Sequence, residues 1–173
     1  MLAAEPRLGR VRLLAIDGPS GSGKSTLAAA VITELRDRDV LSALVRTDEF
    51  ATWEHPVSWW PRLVEGVLEP LRAGRPGRYR RMDWTTGSPQ LGALVTVEVP
   101  DVLVLEGVSS GRSSVRPLLS CLCWLEGPDQ AVRLERAVAR DGESSRGPLR
   151  AWQAFERGWF AADKTGQPAV SEG

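Results

Sequence analysis

Leu13-Leu14-Ala15-Ile16-Asp17-Gly18-Pro19-Ser20-Gly21-Ser22-Gly23-Lys24-Ser25-Thr26 is the stretch that decides how this chain reads. From Gly18 to Ser25 it fits the pattern G-x-x-x-x-G-K-S/T in full. The apolar run before it, Val11 to Ile16, reads as a buried strand. After it, Leu27, Val31 and Leu35 recur at helical spacing, so Thr26 to Asp37 reads as a helix. A glycine loop between strand and helix suits phosphate. Glycines let backbone N–H groups turn inward, and the helix start adds the positive end of its dipole. Lys24 can reach β- and γ-phosphates, and the Ser25 hydroxyl can bind Mg²⁺. Gly18, Ser20, Gly21, Ser22, Gly23, Lys24, Ser25 and Thr26 are the expected nucleotide-binding residues, with ATP and Mg²⁺ as cofactors. A glycine-rich loop without a ligand is the plainer alternative.

Working outward, Val40 to Arg46 is a second apolar strand, which completes a strand–helix–strand unit with an expected right-handed crossover. Pro56 to Leu71 reads as a helix whose ends Pro61 and Pro70 limit, and Gly74 to Arg81 as a basic turn region. Leu94 to Val99, Val102 to Leu105 and Leu118 to Leu125 are strand candidates. Pro128 to Arg140 and Leu149 to Asp163 read as helices, and residues 141–148 between them as a mobile lid loop. Met1 to Arg10 reads as a frayed lead-in, and Thr165 to Gly173 as a poor strand or disorder. Strands alternating with helices predict one α/β domain over 1–173, with a mostly parallel sheet covered by helices on both faces. Ligands then bind beyond the carboxyl ends of the strands, where Asp17-Gly18, Asp48 and Glu106 all fall.

The 173 residues, 42% hydrophobic and 25% charged, suit one ordinary core. Net charge is zero, against the basic surplus of a nucleic-acid binder, so nucleic acid is not an expected partner. No run approaches the ~20 apolar residues of a membrane span, and no signal-peptide h-region is evident, so the expected location is cytoplasmic and off the membrane. Homo-oligomerisation stays open. Cys121 and Cys123 would point the same way on a strand and read as core residues. His55 is the sole histidine, which excludes a multi-histidine metal site.

Of the two acids, one can orient Mg²⁺ and its waters, and the other can accept a substrate hydroxyl proton. Asp48 and Glu106 are the candidates, with a surface loop acid or helix cap as the plainer reading of each. Arg133, Arg136 and Arg140 share a helical face, and Arg146 follows in the loop. One or two such forks over a γ-phosphate would stabilise transfer. The alternative is a solvated face paired with Glu135 or Glu143. Trp53 and Trp84 could wall an aromatic substrate pocket, whereas Trp59 and Trp60 read as packing residues.

Together these residues resemble the uridine kinase (uridine-cytidine kinase) family of P-loop nucleoside kinases, from about Leu13 to Lys164. Beyond the phosphate loop, Asp48-Glu49-Phe50 is similar to the family's D-x-F motif, and Trp53-Glu54-His55-Pro56 to F-D-H-P. Met82-Asp83-Trp84 stands where the family has Y-D-F, Leu105-Glu106-Gly107 matches the E-G after the Walker-B strand, and Arg140-Asp141 the R-D that opens the lid. The resemblance implies that Asp48 is the general base on a nucleoside 5′-hydroxyl, that Ser25 and Glu106 hold the metal with Asp48 close by, and that Arg136 and Arg140 serve the lid. It puts Glu54 at the ribose, and Trp53, Asp83 and Trp84 at the rest of the acceptor. Met82 departs from the family's tyrosine, Gly87 falls near a base-contacting histidine, and Ala137 stands where an arginine often reaches the sugar. The implied class is a small-molecule kinase. A kinase for another hydroxyl metabolite and a nucleotide-binding regulatory protein are the alternatives.

Overall fold

The computed structural model describes residues 1–86 and 88–166. Gly87 and residues 167–173, the greater part of the tail expected as a poor strand or disorder, lie outside them. In chain order the elements are β1 (Arg12–Asp17), α1 (Lys24–Asp37), β2 (Ser42–Arg46), α2 (Trp60–Leu63), α3 (Glu69–Arg72), β3 (Gly77–Asp83), β4 (Gln90–Val97), β5 (Val102–Glu106), β6 (Cys121–Trp124), α4 (Gln130–Asp141) and α5 (Arg146–Asp163). Four strands form a parallel sheet in the order β2-β5-β1-β6.

The sheet is covered on both faces, and strict alternation along its central strands is the cause. Leu13, Ala15, Leu103 and Leu105 face one cluster, with Val45, Leu63, Val67 and Leu71. Leu14, Ile16, Val102 and Val104 face the other, with Ala28 and Leu35 of α1. Cys121 and Cys123 share that second face and are both free, as their spacing predicts. The register pairs Ile16 and Arg46 with Glu106, and Asp17 with Trp124. Asp17, Asp48 and Glu106 therefore emerge together at the carboxyl ends of the sheet's strands, beside the phosphate loop.

Four expectations change. Gly74 to Arg81 is not a turn, because β3 and β4 form a separate antiparallel hairpin whose Gly77, Tyr79 and Met82 point inward. The helix expected over 56–71 runs from Trp60 to Arg72 and widens into a π turn at Val64–Leu68. Pro70 sits inside it rather than at its end. Proline has no N–H for the carbonyl four residues back, and the wider turn accommodates that loss. Residues 141–148 hold a short 3-10 turn at Glu143–Ser145 and the start of α5, with Arg146 ion-paired to Glu135 and Glu143. The lead-in is tied down at Leu8, which is fully buried and pairs with Val11 around Gly9. No described helix is long and apolar enough to cross a membrane.

Candidate active site

The phosphate loop begins where β1 runs out. Gly18 has φ 140°, and a Cβ there would lie 2.1 Å from the Leu125 carbonyl oxygen. Gly23 has φ 102° with open space around it, so backbone conformation rather than crowding requires glycine there. Lys24 is buried, and its Nζ donates to the Pro19 carbonyl at 2.9 Å. Burial pushes its pKa down, against the opposing charges of Glu156, Glu106, Asp17 and Asp48. Ser25 Oγ donates to Glu106 Oε1 at 3.2 Å. Ser20 is engaged by α5, as described below, the Ser22 hydroxyl is buried without a partner among the described residues, and Thr26 is exposed on the first turn of α1.

Glu106 ends β5 and is 2% exposed. Burial raises its carboxyl pKa, and the charge of Asp48 raises it further. Arg46 Nε stands 3.6 Å from Oε2, yet that oxygen accepts no hydrogen bond from the described residues. Asp48 lies in the 3-10 turn Thr47–Glu49 directly after β2. Gly107, at φ 127°, lets the two acids approach, since a Cβ there would meet Thr47 Oγ1 at 2.0 Å and Asp48 Oδ1 at 3.3 Å. The fold thus gathers Lys24, Ser25, Asp48 and Glu106.

Arg140 is ion-paired with Asp141 at 2.6 Å, and the charges of Asp48 and Glu106 also hold its pKa up. Its side chain is exposed on the last turn of α4, and its hydrogen bonds among the described residues go to Asp141. Arg136 is exposed on α4 and joins none of the ion pairs found among the described residues. Arg133 instead buttresses the loop, donating from Nη1 to the Ser20 carbonyl at 3.3 Å.

On the acceptor side, Trp53 packs edge-on to Trp84 at 5.1 Å and to Trp152 of α5 at 5.9 Å. Trp84 Nε1 donates to the Asp48 carbonyl at 3.0 Å, which ties this aromatic wall to the acid. Asp83 and Glu54 are less engaged. The Asp83 carboxylate accepts the Thr85 N–H at 2.9 Å, capping the turn after β3, and Glu54 is exposed. Met82 is nearly buried under Arg62 rather than open to a ligand, and Ala137 is buried in α4.

Three residues outside the expected site hold it together. Asp17 is fully buried and accepts the N–H groups of Gly18 at 2.7 Å, Ser109 at 3.0 Å and Gly111 at 2.8 Å. Burial outweighs these donors and pushes its pKa up to about 6. Arg112 is buried with its guanidinium over Trp60 at 4.2 Å, Trp159 at 4.8 Å and Trp59 at 5.6 Å, and it donates to Val57 O and Ser109 Oγ. Glu156 is 1% exposed and accepts the Ser20 N–H on both oxygens at 3.0 Å, the Ser20 hydroxyl, and Trp152 Nε1 at 2.6 Å. A sequence signal for Glu156 exists. It is an acid in the middle of the face carrying Trp152, Phe155 and Trp159, which has a second acid, Asp163, at its end.

No family model matches the chain. In sequence it is 26% identical over 144 residues to a chloroplastic uridine/cytidine kinase of Arabidopsis thaliana, covering 75% of this chain and 29% of that protein. It is 34% identical over 135 residues to a cytidylate kinase of Pseudomonas aeruginosa, covering 78% of this chain and 57% of that one. The chain thus spans under two thirds of the curated relatives it matches. In fold it is similar to a possible uridine kinase from Bacillus stearothermophilus, with TM-score 0.58 and 21% identity over 85% of each chain. A candidate fructose transport system kinase from Silicibacter gives TM-score 0.63 and 18% identity over 88% of this chain and 85% of that one. In sequence the chain is thus similar to a uridine/cytidine kinase and a cytidylate kinase, and in fold to a possible uridine kinase and a candidate fructose transport system kinase.

Proposed function

We propose that the chain is an ATP- and Mg²⁺-dependent kinase that transfers the γ-phosphoryl group to a hydroxyl of a small acceptor, best read as the 5′-hydroxyl of a nucleoside such as uridine or cytidine. The observation that carries this is the meeting of Lys24, Ser25, Asp48 and Glu106 at the carboxyl ends of the sheet's strands. Glu106 fits a divalent cation, because its Oε2 is buried without a hydrogen bond from the described residues and a second acid adjoins it. Ser25 and Glu106, with Asp48 beside them, would hold Mg²⁺, which when bound neutralises β- and γ-phosphate oxygens.

The chain's own residues have separable tasks. The loop N–H groups and Lys24 position the phosphates. Asp48 accepts the acceptor's hydroxyl proton as that oxygen bonds to the γ-phosphorus. The bond to the β,γ-bridging oxygen breaks, and ADP leaves with the electron pair. Arg140 faces the charge that develops on the transferring group. The wall of Trp53, Trp84 and Trp152 supports an aromatic acceptor that stacks. The likeness to a cytidylate kinase favours a second acceptor class, nucleoside monophosphates.

The test is Mg²⁺-dependent ATP consumption against nucleosides, nucleoside monophosphates and other small alcohols, with Asp48→Asn alongside. We expect hydroxyl-dependent turnover that falls by about 10²–10⁴-fold in the variant. ATP binding without acceleration by any acceptor would instead favour a nucleotide-binding regulatory protein.

A further inference from the structure

Glu156 is an anion held against a loop built to receive anions. Its carboxylate takes the backbone N–H and the hydroxyl of Ser20, the third position of the phosphate loop. Among the described residues, no guanidinium or ammonium pairs with it directly. Lys24, the phosphate lysine, feels its charge more than that of any other acid. A triphosphate in the loop would bring several further negative charges to the same donors and the same lysine.

The carboxylate also has somewhere else to go. Beside it lies a cavity of about 510 Å³ lined by Pro19, Trp124, Arg133, Gln153, Arg157 and Phe160, among others. Gln153 is 2% exposed, and neither its Nε2 nor its Oε1 has a hydrogen-bond partner among the described residues. It sits one turn before Glu156 on α5, on the side of Arg157. The cavity therefore offers Glu156 an unused amide donor and the guanidinium groups of Arg133 and Arg157, which already donate to the Pro128, Ser20 and Gln153 carbonyls, with Glu126 and Asp129 also on its wall.

We propose that Glu156 is an internal competitor for nucleotide: it rests on Ser20 in the nucleotide-free protein and is displaced toward Gln153 when phosphates enter the loop. Glu156 is a positioning residue, not a catalytic one. The exchange links the loop to the acceptor pocket, because Trp152 gives its indole N–H to Glu156 and its ring edge to Trp53. Displacing the carboxylate frees Trp152, so nucleotide entry loosens one wall of the acceptor site. The proposal rests on the nucleotide-binding part of the kinase reading, and not on the identity of the acceptor.

Calorimetric titration of the full chain with MgATP, and with inorganic tripolyphosphate, tests it. Glu156→Gln keeps an acceptor for Ser20 but removes the charge, and should tighten both probes by about tenfold. Trp152→Phe removes the donor that helps seat the carboxylate, and should tighten both by a smaller factor. A residue that merely shaped the loop would change affinity in the opposite direction when replaced. Equal or weaker binding by the variants, with wild-type circular dichroism, overturns the competitor and leaves the kinase reading untouched. Tighter binding with no acceptor-dependent turnover supports the competitor while overturning the kinase. Failure of all three proteins to bind either probe overturns both.

Discussion

Gly107→Ala is a single methyl placed between the two acids. Gly107 follows β5 at φ 127°, a backbone state that costs a residue with a side chain about 1–3 kcal/mol. The added Cβ would stand 2.0 Å from Thr47 Oγ1 and 3.1 Å from Thr47 Cβ. Non-bonded atoms of this kind tolerate about 3.2 Å, so the Thr47–Glu49 turn must retreat by roughly 1.2 Å. Thr47 is 3% exposed and its neighbour Phe50 is stacked between Trp59 and Tyr79, so the turn has little room to give. We expect a loss of about 3 kcal/mol in urea unfolding. Asp48 rides on the displaced turn while Glu106 stays in the sheet, and a shift of about 1 Å between reacting groups costs about 10²-fold in rate. On the proposed kinase function, phosphoryl transfer should therefore fall about a hundredfold in the folded variant, with KM for ATP little changed. A Gly107→Ala variant within about 1 kcal/mol of wild type and at full rate would refute the argued closeness of Gly107 to Asp48.

Two further outcomes follow from buried charge. Arg112→Ala strands the Val57 carbonyl and the Ser109 hydroxyl and removes the cation from three indole faces, so stability should fall by about 3 kcal/mol by urea midpoint. Arg112→Lys should fall between, because one ammonium cannot span both acceptors. The Asp17 carboxyl, raised to about 6 from an unfolded value near the usual ~3.9, keeps its proton in the folded chain at pH values where the unfolded chain has lost it. Its contribution to stability is thus fully present below about pH 4 and lost as pH rises through about 6, at up to ~1.4 kcal/mol per unit. Carbon-13 titration of the Asp17 carboxyl should show a midpoint near 6, and a midpoint below about 4, the ordinary carboxyl range, would refute the dominance of burial over its three N–H donors.

The phosphate loop is legible in sequence because each of its positions answers a local need. Gly18 and Gly23 require positive φ, Lys24 and Ser25 carry distinctive groups, and an apolar strand precedes them. Glu106 is legible as the first charge after four buried residues. Leu94 to Val99 announces the second half of β4, whereas β3 is hidden by its arginines. Arg78, Arg80 and Arg81 read as a solvated turn, and the register shift between Arg80 and Met82 breaks the alternation that would reveal a strand. Periodicity alone starts α5 late because Pro148 reads as a stop, whereas proline is tolerated in a helix's first turn, where its missing N–H has no partner to lose. The roles of Glu156 and Arg112 are hidden for a different reason. Their partners lie 136 and 55 residues away, and only folding brings them into reach.

Arg112 lies against indoles from two distant parts of the chain, Trp59 and Trp60 at the start of α2 and Trp159 near the end of α5. Emission from a tryptophan responds to a fixed charge near its ring. Trp159 therefore carries an optical record of whether α5 lies on the body of the protein, while Trp59 and Trp60 keep their cation regardless. Replacing the other tryptophans would leave a protein whose own fluorescence tracks α5, a helix that touches both the phosphate loop and the aromatic wall.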